Sequence, residues 1–336
     1  MSNTMKKIFF SLFLAGFGFQ VMAQQQPLFT NFLLNGYLYN PALAGAEDHL
    51  DLRTSFRKQW VNLPGSPTTT YGSINGAVNQ RDLNKEELGS LPMRGASTIK
   101  FKNVAPLKIR HGVGGYFIND QAGLINRNNL GIGYSIHLPL NHHYYLAIGA
   151  TVGAHFFNLD NPTLRDQGDD AFAGSQSFGT LPDGQFGLYL YNERLQVGLS
   201  GNQLFANRMS FAAQNKAVSY NNLTRHFFGT VAYRFSLDTD FDLMPVGIVR
   251  YTENSPFSLE GGAKIRYRNS FWAGGTYRFG DAVTGLVGLS LYKFVDLSYA
   301  YDFSTSQIQK ASIGTHEIVI GFRFYNKRPN SSLKVW

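Results

Sequence analysis

The chain has 336 residues and a formal charge of +8; aromatic residues make up 15% and charged residues another 15%, the latter low against the ~25% of ordinary soluble domains. It contains no cysteine, which excludes a disulfide framework, a lipid-modified cysteine anchor and a cysteine-ligated zinc site. A mean hydropathy of −0.18 suits a soluble secreted protein but equally a membrane β-barrel, whose strands are only half apolar.

The first two dozen residues read as a secretory signal. Lys6 and Lys7 precede the apolar run IFFSLFLAGFGF, and VMA supplies small residues for cleavage after Ala23. That run is shorter than the ~18 residues a spanning helix needs. Residues 24–49 form an Asn- and aromatic-rich segment broken by Pro41 and Gly45, expected to be a non-barrel segment, irregular or in short helical turns, ahead of the first strand. Residues 50–325 then alternate. In LDLRTSFR, Leu50, Leu52, Thr54 and Phe56 oppose Asp51, Arg53, Ser55 and Arg57; in FSLEGGAKIRYR, Phe257, Leu259, Ala263, Ile265 and Tyr267 oppose Glu260, Lys264, Arg266 and Arg268.

A strand sends successive side chains to opposite faces, so each such segment has one greasy and one ionic face. About fourteen segments follow this rule, most near the ~10 residues of a tilted membrane strand. Short connectors such as NHH, NE and RN alternate with longer ones, which include two long loops, 158–183 and 205–223. Short turns on one side and long loops on the other are the pattern of periplasmic and extracellular ends. The expected fold is an all-β, antiparallel transmembrane barrel of about fourteen strands in the outer membrane, ending in a polar tail at 326–336. Residues 79–110 break the pattern, being long where a short turn belongs, and ASTIKFKN within them could be an extra strand. NDQAGLINRN is read as a loop between two strands.

The ionic face is assigned to the lumen, because a cation at the lipid midplane costs ~2–4 kcal/mol. Its expected residues are Arg53, Arg57, Arg234, Lys264, Arg266, Arg278 and Arg323, with Asp51, Glu260, Asp296, Asp302 and Glu317 to pair with some of them. They form either a salt-bridged filling that rigidifies the barrel or a surface that attracts a ligand. Residues 241–251 are less clean, with apolar side chains on both faces.

Several boxes, in order, resemble the PorP/SprF family of membrane proteins associated with type IX secretion. They are Asn40-Pro41-Ala42 with Ala44-Gly45, then Arg57, Gln59 and Trp60, the Asn-Asp segment from residue 119, and Gly314-Thr315-His316-Glu317-Ile318. The resemblance implies a non-enzymatic outer-membrane barrel whose partner is a secreted adhesin-like protein, engaged through its C-terminal domain. Candidate contacts are Phe172, Phe178, Phe205, Met209 and Phe211 in the long loops, extended by Arg57, Gln59 and Trp60, since a few aromatics dominate most interfaces. Trp60 could equally belong to an interfacial aromatic girdle.

The competing reading is a passive or FadL-like channel for small solutes. No cofactor, metal or nucleic acid is expected. Asp166, Asp169 and Asp170 lack calcium-loop spacing, and the neighbours of His316 form no hydrolytic triad by sequence.

Overall fold

A computed structural model describes residues 33–325, apart from 34, 79–108, 124, 142, 160–177, 207, 214–215, 254, 269 and 293. The signal region, the segment ASTIKFKN and the polar tail therefore lie outside the described residues.

Among the described residues, seventeen strands follow two short 3-10 turns, Gly36–Leu38 and Pro41–Leu43. They are β1 (His49–Lys58), β2 (Thr68–Val78), β3 (Arg110–Ala122), β4 (Ile125–Pro139), β5 (Tyr145–Leu159), β6 (Phe178–Tyr191) and β7 (Leu195–Asn202). Next come β8 (Arg208–Ala213), β9 (Lys216–Asn222), β10 (His226–Tyr233), β11 (Phe235–Ser236) and β12 (Phe241–Thr252). The last are β13 (Ser258–Tyr267), β14 (Phe271–Arg278), β15 (Ala282–Leu291), β16 (Val295–Ser304) and β17 (Thr315–Tyr325).

The wall is an up-and-down antiparallel meander. β17 pairs with β1 from His49↔Tyr325 to Lys58↔His316, which closes the ring. β10 bridges β7 and β12, and β11 continues it along β12 after a break at Arg234. With β8 and β9 set aside as a separate hairpin and β11 counted with β10, the barrel has fourteen strands. Closure leaves no unpaired edge, which is why such a sheet can sit in lipid.

The two faces separate as the alternation demands. Leu52, Phe117, Ile132, Val152, Leu199, Val231, Val287 and Ile318 are exposed on the outside. Aromatics band this surface at both ends. Phe241, Tyr267 and Phe271 mark the end that carries the strand termini His49 and Tyr325 (the near end), and Phe227, Tyr251 and Tyr277 mark the far end. Such girdles are where amphipathic rings meet the membrane interface. Ile320 lies on the outer face opposite Leu297 and Thr54, whereas Arg266 is turned inward to Asp242 at 2.9 Å. Ile320→Arg is therefore expected to cost ~2–4 kcal/mol and to lower the folded, heat-modifiable fraction on gels. Arg266→Ile should assemble nearly normally; equal yields would invalidate the inside–outside assignment.

Two details depart from the sequence reading. NDQAGLINRN is not a loop: β3 and β4 run through it as a tall hairpin, with Gly123 at φ +58° just after β3. Above the lipid belt both faces are polar there, as in the outward-facing Asn119, Asn126 and Asn128, whose amides bond one another. The alternation that signals a membrane strand is accordingly lost. β12, for its part, is apolar on its inner face too, with Met244, Val246 and Ile248 buried. They pack on a segment of the chain that occupies the lumen.

Candidate functional site

The lumen is filled by the stretch just before β1. Leu33, Tyr37, Leu38, Tyr39 and Ala44 form one buried apolar cluster with Tyr71, Tyr116, Phe228, Met244, Val246, Ile248, Trp272 and Leu286, contributed from around the wall. An interior of this kind is packed like a protein core rather than wetted like a pore.

The Asn40–Gly45 box is the part most closely fitted. Asn40 caps the turn that Pro41 begins: its Oδ1 accepts from the Ala42 amide at 3.0 Å. Its Nδ2 donates to the carbonyls of Leu188 and Leu199 at 3.0 and 3.4 Å, on adjacent strands β6 and β7. The Ala44 carbonyl accepts from Ser135 Oγ at 2.6 Å and lies 2.7 Å from His137 Nε2. With Nε2 as the donor, His137 Nδ1 accepts from the Tyr191 hydroxyl at 2.9 Å. Ser200 Oγ donates to the Tyr39 carbonyl at 2.7 Å, and Asn35 Nδ2 to Ser73 Oγ at 2.7 Å. Backbone polar groups that water cannot reach must find such partners.

Glycines make the close approach possible. A Cβ on Gly112 would stand 2.0 Å from the Ala44 oxygen, one on Gly149 2.4 Å from the Ala42 nitrogen, and one on Gly187 1.9 Å from Asn40 Oδ1. Gly45 is itself held at φ +68° against the Gly112 backbone, a conformation that a side chain disfavours. After Gly45 the chain leaves the seat past Glu47. Burial raises the Glu47 carboxyl, but the His49 imidazole 2.6 Å away, with Arg53 and Arg323, more than offsets it and holds the pKa at about 2.

Ionic residues flank the filled zone. Towards the far end Glu260 lies 2.8 Å from Arg250 and 3.1 Å from Arg278, and accepts from Thr276 at 2.7 Å. Arg57 lies 3.6 Å from Asp302 and 3.9 Å from Glu317, which accepts from Ser55. Towards the near end Arg53 meets Asp51 at 2.8 Å, Arg323 meets Asp296, Arg266 meets Asp242, and the Lys264 ammonium sits over the Trp272 ring. Arg234 lies half-buried at the β10–β11 break, its amide bonded to the Arg194 carbonyl. The cations assigned to the lumen from sequence thus stand inside, mostly beside carboxylates. Asp302, expected there as a pairing acid, stands beside Arg57, and Arg250 joins them although the alternation did not single it out.

Above the filled zone the lumen opens at the far end into a cavity of about 580 Å³. Leu38 and Tyr39 of the inserted segment lie at its base, and Arg57, Gln59, Trp60, Asp120, Arg127, Asn129, His155, Gln185, His226, Phe228 and Arg250 are among its walls. Burial lifts the Tyr39 hydroxyl to about 12, so it stays neutral at physiological pH.

The residues proposed for a partner divide. Arg57 is buried in β1, on the ionic face that the alternation gives it, and points into this cavity. Gln59 accepts from Arg57 at 3.1 Å, and Trp60 sits at the rim with φ +51°. Phe205 is exposed beside Gly184. Phe178 opens β6, Met209 and Phe211 lie in β8, and Phe172 falls outside the described residues. The cavity thus brings Arg57, Gln59 and Trp60 together but does not include Phe205 among its walls.

The family model described as "Type IX secretion system membrane protein PorP/SprF" matches residues 21–322. A search of curated proteins gives no match. Among solved structures the chain is similar to the Ralstonia pickettii toluene transporter TbuX, at 11% identity and TM-score 0.46, covering 86% of this chain and 93% of that one. It is also similar to the P. putida toluene transporter TodX, at 10% identity and TM-score 0.47, with coverages of 88% and 95%. A Pseudomonas aeruginosa FadL homologue gives 10% identity and TM-score 0.43, with coverages of 84% and 91%.

Proposed function

Since this chain belongs to the PorP/SprF family of type IX secretion system membrane proteins, we propose that it is a non-enzymatic outer-membrane partner of a secreted adhesin-like protein. It receives the C-terminal domain of that protein at the extracellular end and supports its export or retention on the surface. On this reading a leader ending at Ala23 directs the chain to the outer membrane, and the near end, with its short turns and both strand termini, faces the periplasm.

The observation that carries the reading is the filled lumen. A segment seated by its own backbone on Gly112, Gly149 and Gly187 supports a barrel that holds something rather than one that conducts it. The far end supplies the means: an open cavity, and the long connections around Phe205 and the β8–β9 hairpin. Loops on a rigid scaffold are well placed for recognition.

Replacing residues 160–177 with a short Gly/Ser linker tests the proposal, because it leaves β5 and β6 intact. The barrel should still reach the membrane, while the secreted protein should no longer co-purify with it or stay on the cell surface. Undiminished retention would remove this connection from the mechanism.

A further inference from the structure

The cavity at the far end is chemically unfinished in a particular way. Its acids are already engaged: Asp120 accepts from Thr69 at 2.7 Å, Asp281 from Arg278 at 2.9 Å and Asp302 from Thr284 at 2.6 Å. Arg57 and Arg250 face carboxylates in turn. A free cation would have to displace one of these pairs.

What remains open lies on one wall, across β4 and β6. Gln185 is only 4% exposed and gives its Nε2 to the Tyr116 hydroxyl, but its Oε1 has no hydrogen-bond partner. Asn129 is 7% exposed, and its Oδ1 is likewise unpaired, as is Arg127 Nε beside it. All three residues line the cavity. A buried polar group without a partner is costly and marks a place where something else supplies the bond. The open set mixes acceptors with a donor. Beside it stand Leu38 and Tyr39 at the base and Phe228 on nearby β10.

We propose that this cavity binds an extended peptide segment of the secreted partner. Main-chain N–H groups of the segment meet Gln185 Oε1 and Asn129 Oδ1, a carbonyl meets Arg127, and one large apolar side chain rests on Leu38, Tyr39 and Phe228. A polypeptide is the ligand class that offers donors and acceptors in alternation together with an apolar side chain. The volume of about 580 Å³ falls within the ~300–1,000 Å³ of small-ligand pockets, which admits a short stretch of chain but not a folded domain. This inference rests on the partner reading above and narrows it: the connections at the far end hold the domain, and the cavity takes a tail or loop projecting from it.

The test uses the full-length barrel in nanodiscs and, as probe, the purified C-terminal domains of the organism's own type IX-secreted proteins. The unaltered barrel should bind one of these domains. Asn129→Leu and Gln185→Leu, each checked for heat-modifiable migration, should weaken that binding at least tenfold. Gln121→Leu, on the outer face of the same tall hairpin, should leave it unchanged. Synthetic ten-residue peptides tiling the bound domain should include one that competes with it. Normal domain binding by both cavity variants, with no competing peptide, overturns the cavity proposal and leaves the partner reading intact. Failure of every domain to bind the unaltered barrel overturns both.

Discussion

Gly149→Val combined with Gly187→Val is expected to open a closed barrel to ions. Each new Cβ enters space held by backbone or by a fixed amide: 2.4 Å from the Ala42 nitrogen in one case and 1.9 Å from Asn40 Oδ1 in the other. Neither obstacle is a flexible side-chain tip that could swing away. Overpacking of this kind costs ~1–3 kcal/mol per site, so two sites shift the seated-to-unseated ratio by roughly thirtyfold to ten-thousandfold, at 1.4 kcal/mol per factor of ten. Gly72→Val with Gly285→Val is the matched control, because no atom lies within 4 Å of a Cβ at either position. Planar-bilayer recordings should show low conductance for the unaltered protein and the control, and a sustained rise for the seat variant. A folded seat variant that stays closed would mean that the inserted segment does not block the path.

The second large effect concerns the ion cluster at the far end of the filled zone. Glu260 is fully buried between Arg250 and Arg278. Glu260→Leu removes the carboxylate that both guanidinium groups face, a change that costs ~3–5 kcal/mol for a buried pair. It should lower the midpoint of denaturant unfolding markedly. Exchanging the three residues together, as Arg250→Met, Glu260→Leu and Arg278→Met, should recover much of the loss, since a buried ionic group replaced whole by apolar side chains is often neutral. Arg268→Ala breaks an exposed pair with Asp240 and should leave the midpoint unmoved. If Glu260→Leu is equally silent, the cluster does not hold the wall.

The barrel was legible in the sequence because lipid and lumen impose opposite chemistry on adjacent residues. Leu52 beside Arg53, or Ile265 beside Lys264, puts an apolar residue on one face and an ion on the other once a strand is assumed. The inserted segment was not legible, for three physical reasons. Its seat is built largely from glycines, and Gly112, Gly149 and Gly187 carry no side chain to declare what they face. Its hydrogen bonds run from backbone carbonyls to Ser135, His137 and Ser200, residues that look like ordinary lumen polar groups in a strand. The apolar inner face of β12 was visible as a blemish in the alternation, but Met244, Val246 and Ile248 do not say what covers them. The Asn40–Gly45 box did stand out by resemblance, and the structure supplies its physics: an amide that caps a turn and grips two strands, a proline that starts the turn, and a glycine in a left-handed conformation against another backbone.

That segment is joined to the wall by only two residues, Glu47 and Asp48, between the buried Ala46 and the first residue of β1, His49. It is therefore an intramolecular ligand. A short tether presents a ligand to its site at an effective concentration of about millimolar or above, whatever the protein's abundance in the cell. A freely diffusing peptide of the same sequence would have to reach comparable levels to compete. Losing one contact, such as Ser135 Oγ to the Ala44 carbonyl, forfeits only ~0.5–1.5 kcal/mol, and the tether restores occupancy. Permanence here comes from connectivity as much as from affinity, so that variants which reshape the seat, rather than those which trim its contacts, are the ones that change the state of the barrel.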